Sequence, residues 1–532
     1  MAMIRRVPFG WLLIFLLSIL LLLAGGRLAP RDEETAYRMT ANLIERGQLT
    51  LTQQEFTVDP QPYAAFLPQA APRTQATTWI VPGPNGESYP LYTHAQPILQ
   101  IPLYLIGRLI GGAPVDLSSV AWTRFFVSLL NPIVIALTGW LIALFGSRWG
   151  FSARLSIGLG AMYSLGTMAV VYTHTNFTDP LLTLLFTLAA YSAYRANEDR
   201  RGRWLLLTGM SLGLALYARE RALIWLPLYV GYVLLTRRAR TLRDWAVFLI
   251  PMACGAAALA LWNTVRFGSP AIIGYASWVA DTGFEAPIVV GLFGLLISPG
   301  KGVLIYNPIV WLGFIGLFAM LRRRRAEALF SLSFCVVALG FYARYNFWTG
   351  GWNWGPRYLL PLLPFLLLAA GDWVHAHPTR LRRSLLIGLC GLTLMLNLPA
   401  VLIDQSRYLV GFEGRDPQHY LDRSILRIED SPLVQQWPVA IDLASWYARP
   451  ETWNAAQQAI TSHLASYTGD GSFESLSTHL MWVDEFFRLN VPDFWFVHLP
   501  LLGLSSVFVG LLAVALLGLT IFSAWKVWLM LR

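Results

Sequence analysis

Three consecutive carboxylates, Asp32, Glu33 and Glu34, follow the first long apolar segment of the chain. An acidic side chain close to a lipid bilayer is costly, so its presence there is a hypothesis of function by default. At a membrane surface Asp32 could act as a general base, which takes a proton from a reacting group. The alternative is that the acids only begin a surface helix, because carboxylates favour helix N-termini.

Two basic residues stand where helices are expected to begin. Lys301 lies within the segment 298–302, whose glycines let the backbone approach a ligand, and Arg357 follows Gly355-Pro356. Proline suits the first position of a helix, and a helix N-terminus with a fixed cation favours a phosphate group. The alternative is that both side chains extend to lipid headgroups. Because the acidic stretch lies on the same face, the sequence favours a phosphate site.

Four further residues could contact a substrate. Arg219 lies in the tight turn 219–221, where it could contact a phosphate or a sugar, or be neutralised by the neighbouring Glu220. His174 could bind a substrate or a metal, although a lone histidine is more often only hydrogen-bonded. Asp179 fits the first turn of a helix. Trp354 belongs to an aromatic and glycine-rich run that suits either an interfacial belt or a sugar-binding loop, and no cluster in the sequence has metal-binding spacing.

The composition indicates a membrane protein. Of 532 residues, 55% are hydrophobic and only 13% are charged, which excludes an ordinary soluble protein. The net charge of +10 comes from arginines grouped between apolar runs. This pattern is typical of cytoplasmic loops and does not indicate nucleic-acid binding. The three cysteines lie within apolar runs and predict neither a disulfide nor a metal site.

The elements that must position these residues are membrane-spanning helices. The alternation of apolar runs and basic clusters predicts an all-α polytopic membrane protein of about 12 transmembrane helices (roughly 11–13), with both ends in the cytoplasm. The apolar run 97–109 is expected to lie in the interface, because an even number of crossings must precede the basic residues near position 148. Spans are predicted near 8–26, 120–146, 152–172, 179–196, 204–219, 222–235, 242–263, 303–321, 326–342, 357–374, 384–403 and 501–525.

We expect three parts along the chain. Residues 1–403 form the transmembrane catalytic module, whose first outer loop, 27–119, holds interfacial helices and a hairpin turned at Asn85-Gly86. Residues 404–498 form a small extracytoplasmic subdomain with helices near 453–466 and 476–489. Residues 499–532 supply the last transmembrane helix and a cytoplasmic tail. The segment 264–302 is expected to be a second outer loop.

Several of these motifs together resemble the GT-C class of integral-membrane glycosyltransferases, which includes dolichyl-phosphate-mannose protein mannosyltransferases and aminoarabinose transferases. The resemblance extends to about Pro364 and is weak over 404–498. Ala95 departs from it, because relatives usually have glycine before the Gln-Pro pair. The motifs that carry it are Asp32-Glu33 with Tyr37 and Gly47-Gln48-Leu49, Tyr89, His94 and Gln96-Pro97 with 101–107, Thr178-Asp179-Pro180, 298–302 with Asn307-Pro308, and 354–361.

The resemblance implies a polyprenyl-phosphate-linked sugar as donor and a glycan, lipid or protein as acceptor, at the extracytoplasmic face of a bacterial plasma membrane. Asp32 would be the base, and Glu33 would hold Asp32, contact the acceptor or replace Asp32 as base. The family leaves the need for a divalent cation open, and no other cofactor is implied. The implied contacts are Lys301, Arg357 and Arg219 for the donor phosphate, and Tyr37, His94, His174, Asp179 and Trp354 for the substrates.

Two other classes of function stay open. A transporter or flippase for a lipid-linked sugar would need the same recognition of lipid and phosphate, but it would favour internal repeats and polar residues at mid-membrane depth. A non-catalytic membrane scaffold subunit would not need Asp32 for its function. The sequence shows no repeat, and its predicted spans carry few charges, which favours the glycosyltransferase.

Overall fold

The computed structural model of the chain describes residues 7–29, 32–52, 55–58, 73–76, 80–236, 238–274 and 283–532. Within these ranges the regular structure is almost entirely helical, which confirms the predicted all-α, multi-pass membrane class. The described strands form two short antiparallel hairpins. One of them, from Ile80–Pro82 to Ser88–Pro90, is the hairpin predicted around Asn85-Gly86, although Thr78 and Trp79 lie outside the described residues.

The first half of the chain alternates long apolar helices with short polar turns. A π-helical turn, Met162–Gly166, and two 3-10 helices, Met168–His174 and Glu220–Trp225, interrupt it. The elements are α1 (Val7–Leu22), α2 (Asp32–Arg46), β1 (Glu55–Val58), β2 (Arg73–Ala76), β3 (Ile80–Pro82), β4 (Ser88–Pro90), α3 (Ala95–Gly111), α4 (Leu117–Ser128), α5 (Leu130–Arg148), α6 (Ala153–Ala161), α7 (Asp179–Asp199), α8 (Gly202–Ala218), α9 (Leu226–Leu235) and α10 (Leu242–Phe267).

The second half continues with apolar helices and ends with a group of shorter, more polar ones before the last span. A further 3-10 turn, Arg357–Leu362, leads into α15. The elements are α11 (Ile288–Ile297), α12 (Val303–Tyr306), α13 (Val310–Met320), α14 (Arg325–Arg344), α15 (Leu363–Ala376), α16 (Arg380–Leu402), α17 (Ser406–Arg415), α18 (Tyr420–Leu426), α19 (Pro432–Tyr447), α20 (Pro450–Ala465), α21 (Phe473–Asn490), α22 (Trp495–Leu501) and α23 (Ser506–Leu531).

Six helical segments in the described residues are long and apolar enough to cross a membrane, and one bent pair would make a seventh. Shorter apolar helices, such as α11 and α13, accompany them. The predicted number of about 12 crossings therefore stays a prediction. The six segments are Leu117–Arg148, Leu242–Phe267, Arg325–Arg344, Arg357–Ala376, Arg380–Leu402 and Ser506–Leu531.

Two sequence predictions about the region 264–321 need correction. The segment 264–302 was expected to be a plain outer loop, but it contains the apolar helix α11, which packs against α14. The span predicted at 303–321 is broken into α12 and α13 at Asn307 and Pro308. Proline has no backbone N–H to donate, so a continuous helix is costly at this point.

The span predicted at 152–172 is bent. The helical segments 153–166 and Met168–His174 meet at an angle of 50° at Thr167, which has extended backbone. Its hydroxyl caps the following turn at Ala169, and the Met168 N–H donates to the Asn307 side chain at 2.9 Å. This hydrogen bond joins the bend at Thr167 to the helix break at Asn307. After the bend, the chain continues into the polar turn that precedes α7.

Helix α2 is packed between the apolar helices and the segment 404–498. It ends at Arg46, and Gly47 follows with φ +64°, as predicted for its C-terminus. Tyr37 of α2 packs against Tyr104 of α3 and Phe473 of α21. The helices predicted near 453–466 and 476–489 are present as α20 and α21. Because α21 buries one face against α2 and α4, residues 404–498 cover the start of α2 from one side.

Candidate active site

Asp32 is the first residue of α2, and its carboxylate remains partly exposed. The Tyr92 hydroxyl donates a hydrogen bond to Asp32 Oδ1 from 60 positions along the chain. Tyr92 follows β4, and the buried Arg266 guanidinium holds this segment by donating to the carbonyl oxygens of Leu91 at 2.6 Å and Tyr92 at 3.1 Å. The hairpin and the end of α10 therefore fix the phenol that orients Asp32.

The two neighbouring acids point elsewhere. The Glu33 side chain is buried, and its Oε2 accepts from the Ala29 N–H at 2.8 Å. Burial raises the pKa of Glu33 to about 8, despite the nearby charge of Arg27. Glu34 is also buried, but Arg124 and Arg38 outweigh the effect of burial and hold its pKa below the usual range. Of the three carboxylates, Asp32 is the partly exposed one.

A pair of arginines follows α8 and faces the Asp32 region. The Arg219 guanidinium lies over the Tyr92 ring, 4.5 Å from its centroid. Arg221 donates to Asp179 Oδ1 and lies over the Tyr358 ring at 4.7 Å. Asp179, which was predicted to contact a substrate, is therefore paired with a cation. Arg219 and Arg221 both remain partly exposed, so a ligand in this region could reach them.

Arg357 joins the same region from the turn before α15. Its guanidinium lies 4.5 Å from the centroid of the Phe177 ring, and its Nη2 donates to the Tyr358 hydroxyl at 3.3 Å. The charges of both Asp32 and Asp179 act on it. Its buried Nε has no hydrogen-bond partner among the described residues. Asp32 and Arg357, which the sequence predicted as base and phosphate ligand, thus interact electrostatically.

Lys301 occupies a different environment. Its ammonium donates to the carbonyl oxygens of Gly351 at 2.9 Å and Asn353 at 2.6 Å. Burial, together with the charge of Arg357, holds the pKa of Lys301 well below its usual range. In this arrangement Lys301 stabilises the loop that precedes Arg357. Its predicted contact with phosphate stays a prediction.

Two predicted substrate contacts are not brought to this region. The Tyr37 hydroxyl forms a hydrogen bond with Thr123 at 2.7 Å inside the α2–α4 packing. The His94 ring meets Trp262 at 3.8 Å between centroids. Burial, together with the charge of Arg266, lowers the pKa of His94 to about 3, so this ring is neutral. The predicted substrate contacts of Tyr37 and His94 therefore stay predictions.

The remaining two predicted contacts, His174 and Trp354, line a separate cavity on the other side of the turn that precedes α7. The His174 Nδ1 lies 3.3 Å from an Asp493 carboxylate oxygen. The Trp354 indole N–H donates to Asn397 at 2.7 Å. Neither residue has a contact with Asp32 or Arg357 among those that the structure describes, so this pair lies apart from the residues around Asp32.

Sequence reasoning missed Tyr92 and the role of Arg221. Tyr92 stands directly after the predicted hairpin, but nothing in its spacing indicates a contact with Asp32. The turn 219–221 was expected either to be neutralised by Glu220 or to contact a phosphate or sugar, but Arg221 is paired with Asp179. Within the part of the chain that is described, no group of three or more His, Cys, Asp or Glu side chains could hold a metal ion.

Comparison with known proteins finds a match to one family model over one segment of the chain. Residues 118–265, from α4 to near the end of α10, match the model of the family described as dolichyl-phosphate-mannose-protein mannosyltransferase. This match, which covers less than a third of the chain, confirms the predicted resemblance to polyprenyl-phosphate-dependent membrane glycosyltransferases of the GT-C class. No curated protein sequence matches the chain.

Two solved structures are similar over most of the chain at low sequence identity. ArnT from Cupriavidus metallidurans bound to undecaprenyl phosphate is 15% identical, with a TM-score of 0.48, over 93% of this chain and 77% of its own. The archaeal oligosaccharyltransferase AglB from Archaeoglobus fulgidus, in complex with an inhibitory peptide and a dolichol-phosphate, is 13% identical, with a TM-score of 0.45, over 81% of this chain and 61% of its own.

Proposed function

We propose that the protein transfers a sugar from a polyprenyl-phosphate donor to an acceptor hydroxyl, with inversion at the anomeric carbon and Asp32 as the base. The observation that carries this proposal is a partly exposed carboxylate, Asp32, that accepts from Tyr92, whose ring lies under the partly exposed Arg219 guanidinium. The charge of this carboxylate also acts on the partly exposed Arg357. A base and a group of cations in one open region suit an acceptor that must lose a proton and a phosphate that must leave.

Asp32 and Tyr92 have separate roles in the proposed reaction. Asp32 takes the proton of the acceptor hydroxyl as the oxygen attacks the anomeric carbon. The bond from that carbon to the phosphate oxygen breaks, and its electron pair leaves with the phosphate. Tyr92, which donates to Asp32 Oδ1, leaves the second carboxylate oxygen for the acceptor. A fixed carboxylate lowers the entropy cost of reaching the reactive geometry.

The leaving phosphate gains negative charge and needs cations more than it needs a general acid. Arg357 has a buried Nε without a partner among the described residues, which suits a phosphate oxygen. Arg219 is held by the Tyr92 ring, so a phosphate bound to it would lie close to Asp32. Arg221 is already paired with Asp179 and keeps the turn in place. Lys301 and Glu33 keep their predicted roles as a further phosphate ligand and an alternative base.

The setting of the site supports a lipid-linked donor. Arg357 begins a helical segment that is long and apolar enough to cross a membrane, and Asp32 follows the shorter apolar helix α1. The basic clusters of the sequence are expected on the opposite, cytoplasmic side. We therefore assign the active site to the extracytoplasmic face of a bacterial plasma membrane. A glycan, a lipid or a protein would be the acceptor. Undecaprenyl phosphate and dolichol-phosphate, the lipids bound in the two similar structures, are of the proposed donor class.

A reconstituted assay tests the reaction. Protein in lipid nanodiscs would receive polyprenyl-phosphate sugars labelled in the sugar, together with candidate acceptors from a bacterial envelope extract. We expect labelled product, release of free polyprenyl phosphate, and an anomeric configuration opposite to that of the donor, determined by NMR.

The same donors in sealed vesicles distinguish the other two classes of function. A flippase would move the intact donor between leaflets without breaking the sugar–phosphate bond, and a scaffold would do neither. Movement without cleavage by the wild-type protein, or retention of the anomeric configuration, would contradict the proposal.

A further inference from the structure

Two groups of arginines meet at the C-terminal end of α15. The first group occupies residues 322–325, between α13 and the start of α14, and the second stands at positions 380, 382 and 383, in the first turn of α16. Both belong to the basic clusters predicted to face the cytoplasm. The segment Arg357–Ala376, which is long and apolar enough to cross a membrane, begins in the proposed active site and ends at these arginines. The two places therefore lie at opposite ends of one segment.

Asp372 and Trp373, near the end of α15, hold the two groups together. The Asp372 carboxylate, with 3% of the side chain exposed, accepts from Arg323 Nη2 at 2.6 Å and from Arg324 Nε at 3.2 Å. Arg382 Nη1 donates to the Trp373 carbonyl oxygen at 2.7 Å, and its guanidinium lies 4.3 Å from the centroid of the Trp373 ring. Both groups are therefore attached to consecutive residues of one helix end.

The remaining arginines leave an excess of positive charge on this surface. Asp372 is already shared by two guanidinium groups, and Glu327 accepts from the Tyr232 hydroxyl at 3.2 Å. Arginine favours phosphate groups, because its planar fork donates two parallel hydrogen bonds. Four arginines here are exposed, and their side chains form no ion pair or hydrogen bond within the described part of the chain: Arg322, Arg325, Arg380 and Arg383.

An open apolar surface adjoins these arginines. Helix α16 is long and apolar enough to cross a membrane, yet each residue from Arg380 to Leu392 is exposed or partly exposed. The first buried residue of α16 is Thr393, whose hydroxyl accepts from the Ile309 N–H at 3.1 Å. Leu381 and Ile387 are 69% and 70% exposed. Charge at the end of a span, followed by apolar surface along it, matches the layout of a phospholipid.

We propose that this surface binds the phosphate headgroup of an anionic phospholipid of the inner leaflet, whose acyl chains lie along α16. The arginines supply charge and paired donors for the phosphate, and the exposed half of α16 contacts the chains. A soluble phosphate ester would use the arginines alone and leave Leu381 and Ile387 without an apolar partner. A lipid at this end of the segment Arg357–Ala376 is neither donor nor acceptor of the proposed reaction, so the inference goes beyond that reaction.

Quenching of a fluorophore at this surface tests the inference without any sugar transfer. In a background without the three cysteines, Ser384→Cys carries a bimane label next to the arginines, in nanodiscs of phosphatidylethanolamine. Equal shares of brominated phosphatidylglycerol or brominated phosphatidylethanolamine are added to separate samples. The ratio of the two quenching efficiencies measures the local preference for the anionic lipid, and we expect a clear preference for phosphatidylglycerol.

Removal of charge at the surface should reduce this preference. We expect Arg380→Gln with Arg383→Gln to lower it about tenfold or more, because each arginine near a membrane surface contributes about fivefold. Arg322→Gln with Arg325→Gln should act in the same way, and it serves as the test if the first variant does not fold. Lysine at positions 380 and 383 keeps the charge and should retain most of the preference.

The matched control removes the same charge elsewhere. Arg201→Gln with Arg203→Gln changes two exposed arginines around the start of α8, and the preference should stay within about twofold, since screening confines the attraction to nearby charges. An equal loss in this control would reduce the effect to net charge and overturn the inference. So would an unchanged preference in the site variants, or its loss in excess glycerol 1-phosphate, which would assign the arginines to a soluble phosphate ester. No sugar donor is present, so none of these results bears on the proposed reaction.

Discussion

Asp32, Glu33 and Glu34 are adjacent in sequence, but their carboxylates have three different environments. Successive residues of a helix point about 100° apart, so three neighbours at its start face three directions. Asp32 meets the Tyr92 hydroxyl at an open surface, Glu33 is buried against the Ala29 N–H, and Glu34 is enclosed by arginines. The proposed division of work between Asp32 and Glu33 follows from this geometry.

One substitution can remove the Tyr92 hydroxyl while the aromatic ring stays in place. Tyr92→Phe keeps the ring under Arg219 but deletes the hydrogen bond to Asp32. A hydrogen bond to a charged group contributes about 1.5–3 kcal/mol, so we expect kcat to fall roughly tenfold to a hundredfold while KM for the donor stays within about twofold. Steady-state kinetics of sugar transfer measure both. Tyr408→Phe, which removes a hydroxyl bound to the Asp430 carbonyl, should leave both constants unchanged.

Glu33 should make stability depend on pH. Because burial raises its pKa from 4.5 to about 8, the folded protein keeps a proton that the unfolded chain loses. Its contribution to stability is therefore present below about pH 4.5 and is lost as pH rises toward 8, at up to ~1.4 kcal/mol per pH unit. In Glu33→Gln the thermal midpoint should fall less between pH 5 and pH 8 than in the wild type. Parallel curves for the two proteins would refute this, and Glu451→Gln, at an exposed acid, is the control.

From the sequence, single functional residues could be predicted better than the contacts between them. Asp32, Arg219 and Arg357 could be predicted as functional residues, because a charged side chain close to a lipid bilayer is costly unless it serves a site. The contact between Asp32 and Tyr92 joins residues 60 positions apart, and it depends on how the hairpin docks on α10. Asp179 was predicted as a substrate contact. It forms an ion pair with Arg221, which lies in the turn after α8, and no local sequence pattern indicates this ion pair.

At the scale of elements, buried ion pairs attach residues 404–498 to the helices of the first part of the chain. Arg124 of α4 donates to Asp484 of α21 at 2.5 Å and to Glu34 of α2 at 2.6 Å. Asp493, which follows α21, is bound by Arg27, which follows α1. These contacts hold α2 between α4 and α21, and so they set where Asp32 begins the helix.

Removal of one buried partner should be costly. Asp484→Ala would leave two buried arginines, Arg124 and Arg38, with Glu34 as their one shared carboxylate, and we expect a loss of about 3–5 kcal/mol in stability because one buried charge is then unbalanced. Asp416→Ala, the matched control, breaks a more exposed pair with Arg423 and should cost far less stability, because solvent screens an exposed pair. Chemical denaturation in detergent, followed by circular dichroism, measures both. Similar losses in the two variants would mean that the buried pair has no special role.

The sequence predicted α20 and α21 well, because each has a continuous amphipathic pattern. It failed at the bend near Thr167 and at the break near Pro308. The proline was visible in the sequence, but the apolar residues on both sides of it suggested a single span. The bend at Thr167 depends on the contact between Met168 and Asn307, two residues 139 positions apart, which local patterns do not contain.

At the scale of the whole molecule, the proposal depends on which side of the membrane holds the site. Exposed arginines near position 322 are predicted to be cytoplasmic, whereas the segment 404–498 covers α2 and is predicted to be outside. The sequence supplied this sidedness through its basic clusters. To predict the number of membrane crossings, the helix lengths must be known. Several apolar helices here are too short or too bent to be counted from hydropathy alone.

Labelling of single cysteines tests the orientation. In a background without Cys254, Cys335 and Cys390, we expect Asn454→Cys to react with a membrane-impermeant maleimide on spheroplasts. Arg322→Cys should react only after lysis. The reverse pattern would move the site to the cytoplasmic face, and labelling of both positions before lysis would place residues 322 and 454 on the same side.

The central claim is that Asp32 removes the proton of the acceptor, and Asp32→Asn tests it most directly. The amide keeps the size of the side chain and can still accept from Tyr92, but it cannot take up a proton. In a single-turnover assay with labelled donor we predict a rate at least about 10²-fold below that of the wild type, with donor affinity unchanged within about threefold. Transfer at a rate within about threefold of the wild type would contradict the account.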